Sequence, residues 1–397
     1  MTTTSVRHID QLRASIQGFL DFFEGPFSKL NENPDVSNFA VGNPLEMPMA
    51  KYVDTLRTHL EPRRRNWFAY KLSEPKARIA VAMSLSAGTG MEWNPEDVAM
   101  TNGGFAALAV AMRTLVEPGD EVIFMSPPWF FYEFMILAAG ATAVRVHLAP
   151  PAFEPDLNEL AAAITHRTRA LIFNSPQNPS GRVYPMQTLT ALAQTLTDAS
   201  ARIGHPIYLI SDEPYRRILF DTVAFHSPAE VYPNTVVTYS YGKQLLAPGQ
   251  RIGYLAVPPS MPDREAFRDN VFVAQFATGY AFPNALLQHA LPDLEQLVID
   301  VQAMQRRRDR LVGALREIGY ESTMPEGTFY VMARSPIGDD VAFTDVLAQH
   351  RVLVLPGTIV EVPGWFRISL TASDEMVERG IPGFAAAFAE AVTAATA

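Results

Sequence analysis

Between residues 97 and 260 the chain alternates short apolar runs with longer stretches of helical periodicity. Runs at 97–101, 121–125, 143–147, 170–174, 207–212, 235–240 and 252–257 are rich in Val, Ile, Phe or Tyr, and most end in polar or turn residues, as strands do. Segments 105–115 and 188–196 read as helices, the second setting Leu189, Leu192 and Leu196 on one face. Strands separated by helices predict an α/β architecture, a mostly parallel, seven-stranded sheet covered on both faces. Further on, Leu294, Leu297, Val301, Met304, Leu311, Leu315 and Ile318 form one helical stripe that begins after Pro292 and is closed by Gly319. Candidate strands at 328–333, 352–355 and 365–369 make the C-terminal part a smaller α+β unit, with the N-terminal segment as its partner. The expected division is an arm at 1–45, a large domain at 46–290 and a small domain at 291–397. No repeat or low-complexity linker separates them, so they are expected to pack together.

Of the 397 residues 48% are apolar and 19% charged, enough to bury one or two substantial cores and set disorder aside. The net charge of -10 argues against a nucleic-acid or anionic-membrane surface. The first ten residues, MTTTSVRHID, lack the apolar stretch of a secretory signal, and no apolar run is long enough to span a bilayer, so a cytoplasmic location is expected. The absence of cysteine excludes disulfides, thiolate nucleophiles and Cys-based zinc sites, and the scattered histidines predict no metal site. The arginine runs 63–65 and 306–308 read as solvated faces, the first alternatively bordering a substrate entrance.

Chemistry-bearing residues gather where predicted strands end, the edge at which an α/β sheet receives ligands. Lys243 stands apart among five lysines because it follows a strand, in Ser240-Tyr241-Gly242-Lys243, ahead of Ala247-Pro248-Gly249-Gln250-Arg251-Ile252-Gly253. Partial desolvation there favours the free amine that condenses with carbonyls. Ser211-Asp212-Glu213-Pro214-Tyr215 ends a second strand, and Asn174-Ser175-Pro176-Gln177-Asn178-Pro179-Ser180-Gly181 a third. Thr101-Asn102-Gly103-Gly104-Phe105 joins a strand to a helix whose first amides suit a phosphate. Ser126-Pro127-Pro128-Trp129-Phe130-Phe131-Tyr132, Phe366-Arg367-Ile368-Ser369 and Gly42-Asn43-Pro44 complete the set. Singly, each is more simply a surface lysine, a turn, a surface ion-pair residue or core packing; Phe130 and Phe131 read as core.

In this order, over residues 40 to 370, the motifs resemble those of class I/II aminotransferases, aspartate-aminotransferase-like members of the fold-type I pyridoxal-phosphate-dependent enzymes. The resemblance implies pyridoxal 5′-phosphate held as a Schiff base on Lys243. It implies that Ser240, Arg251 and the backbone of Gly103, Gly104 and Phe105 hold the phosphate, with Asp212 on the pyridine nitrogen, Tyr215 and Asn178 on the phenolic oxygen and Trp129 on the ring face. Arg367, with Gly42 and Asn178, would receive the amino-acid substrate. It further implies a homodimer with shared active sites, in which Tyr70 reaches the neighbouring subunit's phosphate. Two departures stand out: Phe105 replaces a polar residue common in relatives, and the loop at Tyr70, shortly before Arg78, is shortened and lacks its usual glycine. The implied reaction moves the amino group of an α-amino acid to a keto acid, with Lys243 as base at the α-carbon. The same residues would serve elimination, replacement or ring closure, as in the related aminocyclopropane-carboxylate synthases. A regulatory protein built on this fold would need a DNA-binding module, which the short, weakly basic segment before Gly42 does not offer. Phe22, Phe23, Phe27, Trp67, Phe276 and Tyr280 fit an aromatic-lined pocket or core packing equally well.

Overall fold

The computed structural model describes residues 7–396; residues 1–6, where the expected arm begins, and Ala397 lie outside the described residues. A two-residue strand, β1 (Ser37–Asn38), precedes the central sheet of β2 (Val98–Thr101), β3 (Glu121–Ser126), β4 (Thr142–Ala149), β5 (Glu154–Pro155), β6 (Thr168–Asn174), β7 (Tyr208–Asp212), β8 (Thr235–Ser240) and β9 (Gly253–Ala256). Their order is β2-β9-β8-β7-β6-β3-β4-β5. The seven expected strands are all present, and β5 adds a two-residue eighth at one edge, antiparallel to β4. Strands β4, β3, β6, β7 and β8 run parallel, while β9 runs against both β8 and β2. The last residues of β2, β3, β6, β7 and β8 and the first of β9 therefore share one edge.

Successive strand side chains point to opposite faces, and the layers follow from that alternation. Val122, Phe124, Ala170, Ile172 and Ile210 enter one core with helices Gly104–Leu115, Tyr132–Ala138 and Arg264–Ala277. Ile123, Met125, Leu171, Phe173 and Leu209 enter the other with helix Met186–Ile203. Burial on both faces explains why these strands are apolar almost throughout.

The C-terminal part contains β10 (Tyr330–Arg334), β11 (Val352–Leu353), β12 (Leu355–Pro356) and β13 (Trp365–Ser369). An antiparallel sheet, β10-β13-β12, packs on helices Val301–Ile318, Asp340–Gln349 and Asp374–Thr396. The strand expected at 352–355 is divided: Val352–Leu353 pairs with β1 of the arm, and Leu355–Pro356 pairs with β13. Tyr215, Ile218 and Phe220, just after β7, belong to this same core, which ties it to the site edge of the large sheet.

Two further expectations are corrected. The stripe from Leu294 to Ile318 is two helices, Ala285–Leu294 and Val301–Ile318, and Pro292 lies inside the first instead of ahead of it. Leu294 and Leu297 pack beneath β8 and β9, whereas Met304, Leu311 and Leu315 pack in the C-terminal core. The interruption has its own bonds: Asp300 caps the second helix by accepting from the Ala303 N–H at 2.8 Å, and the Ile299 N–H donates to the Gln244 carbonyl at 3.0 Å. The run 306–308 is not a solvated face either. Arg306 is exposed, but Arg307 is buried against Asp374 and Glu46, and Arg308 against Asp221 and Asp309. A planar guanidinium with five donors can satisfy several acceptors at once, which lets the helix turn both inward.

Candidate active site

At the shared sheet edge a cavity of about 220 Å³ is lined by Gly42, Gly104, Phe105, Trp129, Asn178, Asp212, Tyr215, Ser240, Lys243, Arg251 and Arg367. The chain thus brings together residues drawn from seven separate segments of sequence. Gly103 is not in this lining but adjoins Arg251, which is. Tyr70 does not reach it: the side chain is 87% exposed, with its ring 5.0 Å from that of Phe282.

Asp212 ends β7 and is buried. Its Oδ2 accepts from the Tyr132 hydroxyl at 2.6 Å and its Oδ1 from Thr238 at 3.1 Å. Burial raises its carboxyl, while those two bonds and the charge of Lys243 pull it down, leaving it pushed up to about 6. Burial and the neighbouring Asp212 hold the Tyr132 phenol well above its ordinary value, so it remains a donor.

Lys243 occupies the single helical turn Tyr241–Gln244 that follows β8. The turn is held from both sides, since Tyr241 donates to buried Glu295 and Gln244 accepts from Tyr239 at 2.6 Å. The half-buried ammonium lies 5.8 Å from the ring centre of Tyr215 and 5.5 Å from that of Phe329. Burial pushes the Tyr215 phenol well up, whereas Arg367 and Lys243 outweigh burial at the adjoining Tyr330 and draw its phenol down.

Beside Lys243, helix Gly104–Leu115 starts from Gly103, which has no side chain to cap it and leaves the first amides free for a ligand. Gly103 has φ +86°, and a Cβ there would lie 2.7 Å from Arg251 Nη2. Ser240 ends β8 next to Gly104, where a Cβ would come within 3.2 Å of the Ser240 Cβ. Backbone amides, a hydroxyl and a guanidinium thus converge without intervening side chains. Phe105 contributes a ring that meets Trp129 edge-on at 5.2 Å.

Arg367 sits in the middle of β13, between Met332 of β10 and Leu355 of β12. Its guanidinium is buried, donates to Asn178 Oδ1 at 3.1 Å and to the Ala40 carbonyl at 3.3 Å, and leaves Nε without a partner. The Tyr330 ring lies 4.1 Å beneath it. A Cβ on Gly42 would fall 2.3 Å from the Tyr330 hydroxyl, so only glycine lets the arm pass here. Asn178 is held by its own loop: its N–H donates to Asn174 Oδ1 at 2.7 Å, and Asn174 Nδ2 donates to the Asp212 carbonyl at 2.7 Å.

Sequence reasoning left several neighbours without a role. Tyr132 stands inside a quoted motif, three residues after Trp129, and that spacing was its available signal. Asn174 likewise opens the quoted segment that ends at Gly181, whereas Thr238 and Tyr330 carried no signal, being ordinary members of predicted strands. Phe130, expected to be core, packs against the core and also lines the cavity, and both it and Phe131 remain half-buried. Trp67, Phe276 and Tyr280 do not line it.

Residues 34–383 match the family model described as aminotransferase class I and II. The aspartate/prephenate aminotransferase of Thermus thermophilus is 35% identical over 321 residues, covering 78% of this chain and 80% of that protein. The methionine aminotransferase of Escherichia coli is 30% identical over 339 residues, covering 83% of this chain and 85% of that protein. Among solved structures, an amino transferase from Eubacterium rectale has a TM-score of 0.89 at 30% identity, covering 98% of this chain and 99% of that one. Nothing in these likenesses supports elimination, replacement or ring closure. With this site at the edge of this sheet, and relatives alike over most of its length, the chain belongs to the class I and II aminotransferases and is an amino-group transferase.

Proposed function

We propose that the chain holds pyridoxal 5′-phosphate on Lys243 and, in two half-reactions, passes the amino group of an α-amino acid to a keto acid. Arg367 is the observation that carries this reading. It is a guanidinium only 2% exposed, with an unpartnered Nε and, among the described residues, no ion pair, in the same cavity as Lys243 and Asp212. A buried cation without a counter-ion costs several kcal/mol, which an arriving α-carboxylate would offset.

The remaining residues fit the coenzyme by their chemistry. The free amides at Gly103, Gly104 and Phe105, with Ser240 and Arg251, suit a phosphate. Asp212, the buried acid of the cavity, suits a pyridine nitrogen, whose proton would draw the carboxyl back to its ionised form. Tyr215 and Asn178 would serve the phenolic oxygen, and Trp129 a ring face. When bound, the coenzyme supplies an aldehyde that condenses with amines and a cationic ring that withdraws the electron pair of a deprotonated α-carbon. Arg367 and the Gly42 segment then orient the substrate so that its α-proton lies within reach of Lys243. Lys243, once its amine is free, takes that proton and later returns one.

In this reading the enzyme is a cytoplasmic homodimer with shared sites. Exposed Tyr70 and Phe282 adjoin the exposed Phe272, Val273 and Phe276, an apolar face that a partner subunit would cover while Tyr70 reaches its phosphate. Borohydride reduction of the coenzyme-loaded protein, followed by peptide mass spectrometry, should place the label on Lys243. A label elsewhere, or none, ends the proposal.

A further inference from the structure

We infer that the amino acid taken by this site carries an uncharged, apolar side chain, with aromatic ones preferred; this rests on the aminotransferase reading above. The cavity lining contains three cations, Lys243, Arg251 and Arg367. On that reading all three are engaged, by the coenzyme aldehyde, its phosphate and the substrate α-carboxylate. Among the described residues of this chain nothing in the lining remains to meet a second carboxylate, so only the partner subunit could supply a cation there, and an unpaired charge moved out of water against apolar walls is strongly disfavoured.

Phe105, Trp129, Phe130, Tyr215 and Tyr330 line much of the remaining wall, beside Val41, Leu108 and a few polar groups, and the aromatic contacts continue out of the cavity into the arm. Phe130 lines the cavity and its ring lies 4.8 Å from that of Phe19, which in turn lies 4.3 Å from Phe23. Phe131 closes the group, 4.7 Å from Phe130 and 5.3 Å from Phe19. Helix Gln17–Glu24 carries three phenylalanines yet has no fully buried residue. Its apolar face is therefore only partly covered by the body of the protein, and its Phe19 meets the Phe130 that lines the cavity. Apolar surface of a ligand would complete that burial, and rings stack or meet edge-on with such walls. Phe19 and Phe130 are thereby assigned as specificity-determining residues.

The test uses the coenzyme-loaded enzyme in single half-reactions, followed by the coenzyme's absorbance, with phenylalanine, leucine, alanine, aspartate and glutamate. Phenylalanine and leucine should exceed aspartate and glutamate in rate per concentration by about a hundredfold, the size of discrimination a buried unpaired charge brings. Calorimetry should show 3-phenylpropanoate binding more tightly than succinate, independently of turnover. In Phe19→Ala and Phe130→Ala, the rate with phenylalanine should fall about tenfold more than the rate with alanine. Aspartate or glutamate reacting as fast as phenylalanine, or variants that lower phenylalanine and alanine alike, overturns the inference and leaves the aminotransferase reading standing. Conversion of no amino acid overturns both.

Discussion

Asp212 is held at the end of β7 with its carboxyl out of water, facing hydroxyls and, among the described residues, no cation in direct contact. Its pKa in the folded chain, about 6, lies above the ordinary 3.8 because burial disfavours the charged form. The folded protein therefore binds this proton more tightly than the unfolded chain. The stability it contributes is complete below pH 3.8 and is lost as pH rises through 6. Asp212→Asn cannot ionise, so the stability of the coenzyme-free variant relative to the parent should rise between pH 4 and pH 7, by roughly 2–3 kcal/mol. Urea titrations at both pH values measure it. A difference that stays flat would mean Asp212 is not desolvated in the free protein. Lys243, Asp212 and Arg367 could be picked out because their motifs, taken together and in order, resemble those of a known family. The proton affinity of Asp212 could not, because Tyr132 lies 80 positions away in the chain.

Among the elements, the junction of β2 with helix Gly104–Leu115 has the least freedom. Gly103 combines a left-handed φ with close approach to Arg251, so Gly103→Ala adds backbone strain of about 1–3 kcal/mol and displaces the guanidinium from the helix start. Coenzyme affinity, read by fluorescence titration, should fall about tenfold or more while far-ultraviolet circular dichroism is unchanged. Gly88→Ala is the control: it lies in helix Pro75–Thr89 with nothing within 4 Å of an added Cβ. It should raise stability, by up to about 1 kcal/mol, and leave affinity alone. If both variants bind equally, the junction is not the phosphate cradle. The strand that ends here was legible as a short apolar run, since both its faces are buried. The two-helix division at 295–300 was not, since apolar residues kept their helical spacing across a gap whose bonds come from Gln244 and Asp300.

For the whole molecule, Tyr70 gives the decisive test, since it lies outside its own chain's cavity. Tyr70→Ala and Lys243→Ala chains, each impaired alone, should recover about a quarter of wild-type activity after dissociation and remixing. Half of randomly paired dimers are mixed, and each mixed dimer has one intact site. No recovery after subunit exchange has been verified by mass would exclude shared sites. By itself the sequence determined the sheet, the edge at which the chemistry collects, and the residue types that arrive there. Those signals are local: apolar runs of strand length, and short motifs at their ends. Tertiary structure alone decided that Phe130 lines the cavity while still touching core, that Arg307 and Arg308 are buried, and that Arg367 has no acid partner among the described residues. Burial and pairing depend on which distant segments pack together, and no local spacing encodes that.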